Sequence, residues 1–222
     1  MALVEKKTKI FVTRLLKWGE RNRRDFSWRR ESDAFCILVA EIMLQRTGAQ
    51  QVEPIYRRFI AKYPSVHSLA SAPVEEVSED LRSLGLAYRG ARLKQIAEII
   101  ETKFGGKIPD GENELLSLPG IGKYVANAVL CFAFKKDVPL VDSNVLRVLG
   151  RIFSIKSIPG SHKKPEIWDF MSRMIPRGRA REFNLSLLDF AGTLCTSKTP
   201  HHETCPIRDI CDFYKLESCK HA

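Results

Sequence analysis

Apolar residues recur at helical spacing along almost the whole chain, and the alternation of a strand is nearly absent. From Val52, the positions Ile55, Tyr56, Phe59, Ile60 and Tyr63 follow the i, i+3, i+4, i+7, i+8 pattern of one helical stripe. Residues 34–44 are apolar nearly all round and long enough to predict a buried central helix. Further helices fit 91–104, 112–117, 122–134, 143–153 and 181–194. Pro73 and Pro165 stand where a first helical turn tolerates proline, ahead of VEEVSEDLRSL and EIWDFMSRMI. Gly and Pro mark the turns: YPS at 63–65, GG at 105–106, PGIG at 119–122, IPG at 158–160 and IPRG at 175–178. The expected class is all-α with about ten helices and no internal repeat. A tail begins near residue 195, where Cys, His, Lys and Pro replace apolar residues.

A chain of 222 residues accommodates one large domain or two small ones that share a face. An apolar share of 44% excludes disorder. Lys and Arg number 36 against 26 Asp and Glu, a formal net charge of +10 that suits a polyanionic partner or a membrane surface. No apolar run approaches the ~20 residues that span a bilayer. The opening MALVEKKTKIFV lacks the long apolar core and small-residue cleavage site of a secretory signal. The expected setting is cytoplasmic and associated with the nucleoid, with no membrane partner. Reducing conditions there argue against a disulfide framework for the six cysteines. Cys36 and Cys131 sit singly in apolar stretches, as core residues do. Cys195, Cys205, Cys211 and Cys219 crowd the last 28 residues and call for a metal hypothesis.

The segment ENELLSLPGIGKYVANAVLCFAF (112–134) reads as a short helix, a tight turn and a second helix that begins near Gly122. Gly120 and Gly122 carry no Cβ, so the turn's N–H groups can approach a phosphate closely, and the second helix adds the positive end of its dipole. The plainer alternative is an ordinary helix–helix turn that needs glycine only for its dihedral angles. Twenty residues beyond Gly122, PLVDSNVLRVLGRIF (139–153) places Asp142 in a polar island between an extended apolar piece and a new helix. By itself such an Asp, or Ser143 after it, is as readily a helix N-cap.

Together the hairpin and this Asp resemble the helix-hairpin-helix DNA glycosylases with the Gly/Pro-Asp signature, the superfamily of endonuclease III, MutY and the MIG mismatch glycosylase. The resemblance covers nearly the whole chain. It implies two all-α lobes with the DNA cleft between them: residues 27–136 as a six-helix barrel lobe, and 1–26 with 137–222 as a second lobe that carries an iron–sulfur loop at 195–211. It implies that Gly120, Gly122 and Lys123 grip the strand beside a flipped nucleotide and that Asp142 faces the sugar. Breaking a base–sugar bond builds positive charge on the sugar, which a fixed carboxylate stabilises as it forms. Bifunctional members carry a Lys at the second residue after GIG, whose amine attacks the sugar. Here that residue is Tyr124, similar to the MIG branch, and Lys123 is turned about 100° away. Packing alone is the other reading of Tyr124. FCILVAEIMLQRTGAQQV (35–52) resembles the matching helix of MutY and MIG. Glu41, an acid among apolar neighbours, is then either paired or serves the pocket. Gln45, a turn later, matches the residue that fills the gap left by the flipped base, and Leu86 matches the wedge in the opposite strand. A surface Gln and a core Leu are their alternatives.

The superfamily's iron–sulfur loop is C-x6-C-x2-C-x5-C. From Cys195 it meets His202, Cys205 and Cys211, so the second cysteine has become histidine while every spacing is kept. The resemblance implies a [4Fe–4S] cluster on three thiolates and one imidazole. Zinc, no metal, and Cys219 as the fourth ligand stay open as alternatives. The basic runs RNRRDFSWRR (21–30) and RGRAR (177–181) add salt-sensitive phosphate contacts to the hairpin. The function implied is monofunctional excision of thymine or uracil opposite guanine, by a monomer acting on double-stranded DNA with a mispaired or damaged base. A MutY-type adenine glycosylase is the runner-up, favoured by Glu41 and LGLAYRGAR and opposed by Tyr124 and by the lack of a second recognition domain. A non-catalytic DNA-binding module is the third reading, and it would need neither Asp142 nor Glu41.

Overall fold

A computed structural model describes residues 2–85, 88–155, 160 and 164–219. In chain order its helices are α1 (Ala2–Asn22), α2 (Ala34–Leu44), α3 (Ala49–Lys62), α4 (Val66–Ser71), α5 (Val74–Asp80), α6 (Tyr88–Phe104), α7 (Glu112–Leu116), α8 (Lys123–Phe132), α9 (Ser143–Phe153), α10 (Pro165–Ser172), α11 (Ala180–Thr193) and α12 (Asp212–Ser218). No strand is present among the described residues, so the all-α expectation is met. No described helix is long and apolar enough to cross a membrane. The chain divides into a middle unit, Asp25–Lys135, and a terminal unit, Met1–Arg24 with Lys136–Ala222.

The middle unit is built around α2. Every residue from Phe35 to Met43 is buried, as an apolar surface on all sides demands, and Asp33 caps its start by accepting from the Cys36 N–H at 2.9 Å. Helices α3, α6 and α8 pack against α2, and α4 and α5 pack against α6. The α3 stripe turns Val52, Ile55, Tyr56 and Phe59 inward. Gly90 lets α6 approach α5, because a Cβ there would lie 2.3 Å from the Ser78 Cα.

Two local readings need correction. VEEVSEDLRSL is not one helix: α5 stops at Asp80, and a 3₁₀ turn over Arg82–Leu84 follows, closed by Gly85 at φ +76°. The three-residue period of that turn brings Leu81 and Leu84 to one side, and both are buried. Pro73 precedes the first turn of α5 with extended ψ of 137°, whereas Pro165 occupies the first turn of α10. The described helices exceed the ten expected because short pieces such as α4, with its Ser65/Ser68 capping box, carry too few apolar repeats to register as a period.

In the terminal unit α1 packs along α11, and α9 packs against α11 and α12. Its core joins Phe11 and Leu15 of α1, Val145, Val148, Leu149 and Ile152 of α9, Met171 of α10, and Phe183, Leu187 and Phe190 of α11. Gly19 makes the α1–α11 crossing close, since a Cβ would overlap the Ser186 hydroxyl. The extended piece before Asp142 has no strand partner. Buried Asn184 satisfies it instead, accepting from the Leu140 N–H at 3.1 Å and donating to the Val138 carbonyl at 2.9 Å.

Candidate active site and iron–sulfur tail

The hairpin of the middle unit runs from α7 through Ser117–Gly122 into α8, with Leu118 and Ile121 anchored in the core. Its two glycines serve different needs. Gly120 has φ +75°, so the backbone requires glycine, whereas a Cβ there would come within 2.6 Å only of the flexible end of the Arg92 side chain. Gly122 has an ordinary φ of −98°, and an added Cβ would meet nothing within 4 Å. Nothing inside the protein demands glycine at 122. Its bareness leaves open the approach to the first turn of α8, whose N-cap position offers no side chain of its own. N–H groups and the positive dipole end there suit an anion. Lys123 is exposed, with Nζ 3.8 Å from Glu112 Oε1.

Tyr124 is half-buried on α8, and Glu41 is 6% exposed on α2, the helix packed against it. Neither stands alone, because each takes part in an interaction within the fold. Gln45 is not on the helix with Glu41: α2 ends at Leu44, Gln45 is its half-buried C-cap, and Arg46 follows in the left-handed region at φ +58°. Leu86 lies outside the described residues.

In the terminal unit Asp142 caps α9. Oδ1 accepts from the Val145 N–H at 2.7 Å, and Oδ2 accepts from Asn144 Nδ2 at 2.7 Å. Asn144 in turn accepts from Arg147 Nη1 at 3.0 Å. Arg147 also donates through Nε to the Cys195 carbonyl at 2.9 Å and through Nη2 to the Ala191 carbonyl at 2.8 Å. The capping role is therefore real, and it fixes the half-buried carboxylate in a chain of polar contacts that reaches the first cysteine of the tail. Asn144, Arg147 and Asn184 had escaped the sequence reading. The spacing of Asn144 and Arg147, i and i+3 on one helix face, was the available signal for two of them.

Cys195, His202, Cys205 and Cys211 line one small pocket, about 20 Å³ and partly open to solvent, with Phe190 and Ile207 among its apolar walls. Burial pushes the Cys205 thiol up to about 11 and the Cys211 thiol in the same direction, with the neighbouring sulfurs adding to both. Three thiolates so placed need cations among them. Arg151 supplies part of that field: Nη1 lies 3.4 Å from Cys195 Sγ and donates to the Thr196 carbonyl at 2.6 Å, while the guanidinium sits 4.9 Å from the Phe213 ring centre. The His202 ring packs edge-on to Tyr214, centres 4.9 Å apart. From α1, Lys7 pairs with Asp212 at 2.6 Å, and Arg14 holds Asp209 and the Pro206 carbonyl. Cys219 is exposed and does not line the pocket. Among the described residues no three His, Cys, Asp or Glu side chains are grouped as a site for a single metal ion.

The candidate features of this all-helical chain are a glycine-opened helix N-terminus after a hairpin, a fixed carboxylate at the next helix start and a thiol-lined tail. Residues 39–170 match the model of the HhH-GPD superfamily base excision DNA repair proteins, and residues 195–211 match the iron–sulfur binding domain of endonuclease III. The chain belongs to the HhH-GPD superfamily: it is an enzyme acting on N-glycosyl bonds, its substrate is DNA, and its tail carries a [4Fe–4S] cluster site. It is 37% identical to the thymine/uracil-DNA glycosylase of Methanothermobacter thermautotrophicus, over 95% of this chain and 96% of that relative. It is similar to the solved structure of a thermostable thymine-DNA glycosylase, with a TM-score of 0.89 and 35% identity over 96% of this chain and 99% of that one. The adenine DNA glycosylase of Rattus norvegicus is 33% identical over 90% of this chain but only 41% of its own length.

Proposed function

We propose that the protein removes thymine or uracil mispaired with guanine, flipping the base and hydrolysing its N-glycosidic bond without cleaving the strand. The observation that carries this reading is Tyr124 at the second position of α8, in a chain that aligns almost end to end with thymine/uracil-DNA glycosylases. A phenol cannot form the Schiff base that an amine at this position would form. Lys123 is the residue beside it, exposed near Glu112.

In this reading Gly120, Gly122 and Lys123 hold the phosphates beside the flipped nucleotide. Gln45 occupies the gap in the stack, and Leu86 wedges the opposite strand. As the bond from C1′ to the base N1 breaks, the base departs as an anion and the sugar gains positive charge; a water oxygen then completes the bond to C1′, and the proton it sheds is balanced by the one the base anion takes up at N1 through solvent. Asp142 stabilises the sugar cation, its carboxylate already oriented by Val145 and Asn144. Glu41 binds and positions the base, since thymine and uracil leave without prior ring protonation. Mispaired bases are preferred because a weak pair costs less to open.

Cys195, His202, Cys205 and Cys211 hold the cluster, and Cys219 takes no part. The match of residues 195–211 to the iron–sulfur binding domain of endonuclease III, with every ligand spacing kept, supports a cluster over zinc. When bound, the cluster supplies a rigid cross-link for the tail.

Incubation with duplexes bearing T·G, U·G, A·G and A·8-oxoguanine tests the reading. T·G and U·G should yield alkali-labile sites, with breakage only after alkali and no borohydride-trapped adduct. Removal of adenine alone would transfer the assignment to an adenine glycosylase. For the tail, iron and sulfide should be lost in His202→Ala and retained in Cys219→Ala, and the opposite pattern would move the fourth ligand to Cys219.

A further inference from the structure

Arg89, in the LGLAYRGAR stretch, is the largest side chain among those buried to below 2% exposure, and it has no exposure at all. Its Nη1 donates to the Met43 carbonyl at 2.7 Å and to Thr47 Oγ1 at 2.8 Å, while Nε and Nη2 have no hydrogen-bond partner. Burial lowers its pKa and the neighbouring cations Arg46 and Arg92 lower it further, the Tyr88 phenol works the other way, and no carboxylate is among these groups. An arrangement this costly for a cation persists only where its contacts hold something in place.

What it holds is the turn after α2. The Met43 carbonyl is one of the last four of that helix, at the negative end of its dipole, so a buried cation is favoured there more than elsewhere. The Thr47 hydroxyl that accepts from Arg89 donates to the Gln45 carbonyl at 3.4 Å. Between these anchors Arg46 keeps a left-handed backbone, a conformation that a non-glycine residue holds only when its surroundings over-determine it. Gly90 permits the placement by letting α6 settle onto Ser78, and Arg92 crosses Gly120 of the hairpin from the same first turns of α6.

We infer that Arg89 is a positioning residue that acts through Gln45: its buried guanidinium clamps the Gln45–Gly48 turn so that Gln45 is presented to the gap left by a flipped base. The inference rests on the role proposed above for Gln45.

The test is a double-mutant cycle on single-turnover uracil excision from U·G duplex, with thermal midpoint and iron content recorded for each variant. Arg89→Met keeps the volume and removes the charge, a replacement that buried ions often tolerate. It should slow excision by about tenfold, as a small misplacement of a positioned group does. Thr47→Val should slow it in the same direction, and Arg89→Lys should recover part of the rate. Gln45→Ala combined with Arg89→Met should be no slower than Gln45→Ala alone. Additive losses in the double variant would make Arg89 merely structural and overturn the inference. Should Arg89→Met fail to fold, the cycle is run with Thr47→Val and read by the same rule. If Gln45→Ala slows excision while Arg89→Met and Thr47→Val do not, the inference alone falls. If Gln45→Ala has the parent rate, the inference falls together with the role given to Gln45.

Discussion

Asp189 in the terminal unit and Arg89 in the middle unit are equally enclosed, with no exposure of either residue. Asp189 is met by Arg24, whose Nε donates to Oδ1 at 2.6 Å and whose backbone N–H donates to Oδ2 at 2.9 Å. Arg89 meets a carbonyl and a hydroxyl. The first arrangement ties the residues after α1 to α11 and closes a unit assembled from both ends of the chain. The second ties down the four-residue connection, Gln45–Gly48, between α2 and α3. A paired buried charge here serves the fold, and an uncompensated one serves a local conformation. The two should therefore fail differently when altered.

The deepest break in function is expected at Asp142, a third charged group, which the fold orients without covering. Asp142→Asn keeps the shape and the cap while removing the charge proposed to stabilise the sugar. Excision should fall by about 10³-fold with duplex affinity little changed. Single-turnover rates alongside a binding titration check this, and a parent-like rate removes Asp142 from the mechanism. Asp189→Ala should instead act on stability, by about 2–3 kcal/mol, less than for a fully buried pair because the abandoned Arg24 side chain is 38% exposed and can reach water. The folded fraction should excise at the parent rate. A rate loss with no loss of stability would erase the distinction between the two kinds of charge.

Arg147 lies between these extremes, since it both orients Asn144 beside Asp142 and satisfies carbonyls near the tail. Arg147→Ala should lower excision by roughly tenfold through a looser carboxylate, with iron content as the control that separates loosening from loss of the cluster. The smallest and sharpest effect is expected at the hairpin. Gly122→Ala meets no atom and no backbone strain, so the midpoint should hold or rise slightly. Duplex binding should weaken by about 1 kcal/mol as the methyl stands off a phosphate. Gly120→Ala should show the reverse emphasis, losing stability through its positive φ.

Much of this was legible because local chemistry and global role coincide. The all-round apolar run at 34–44 has no stable place except the interior, and α2 occupies it with those bounds. LPGIG reads as a hairpin because glycine is the one residue that serves both a left-handed turn and a bare helix start. The residues that were illegible act through partners remote in sequence. Arg89 is 46 residues from the carbonyl it holds, and Arg147 is 48 from the cysteine whose carbonyl it meets. In the sequence each looks like any basic residue of a chain with net charge +10. The left-handed backbone of Arg46 just past α2 was illegible for a related reason, since no glycine announces it.

By itself, then, the sequence determined the helical class, the buried helix, the hairpin, the carboxylate at a helix start and the spacing of the cysteines and histidine of the tail, because each follows from residue type, periodicity or backbone freedom within a few positions. Tertiary structure alone decided which charges are compensated and which are not. Burial and partnership depend on helices that meet across the fold, and a charge's cost or usefulness is settled by the dielectric and the donors or acceptors that those helices bring to it.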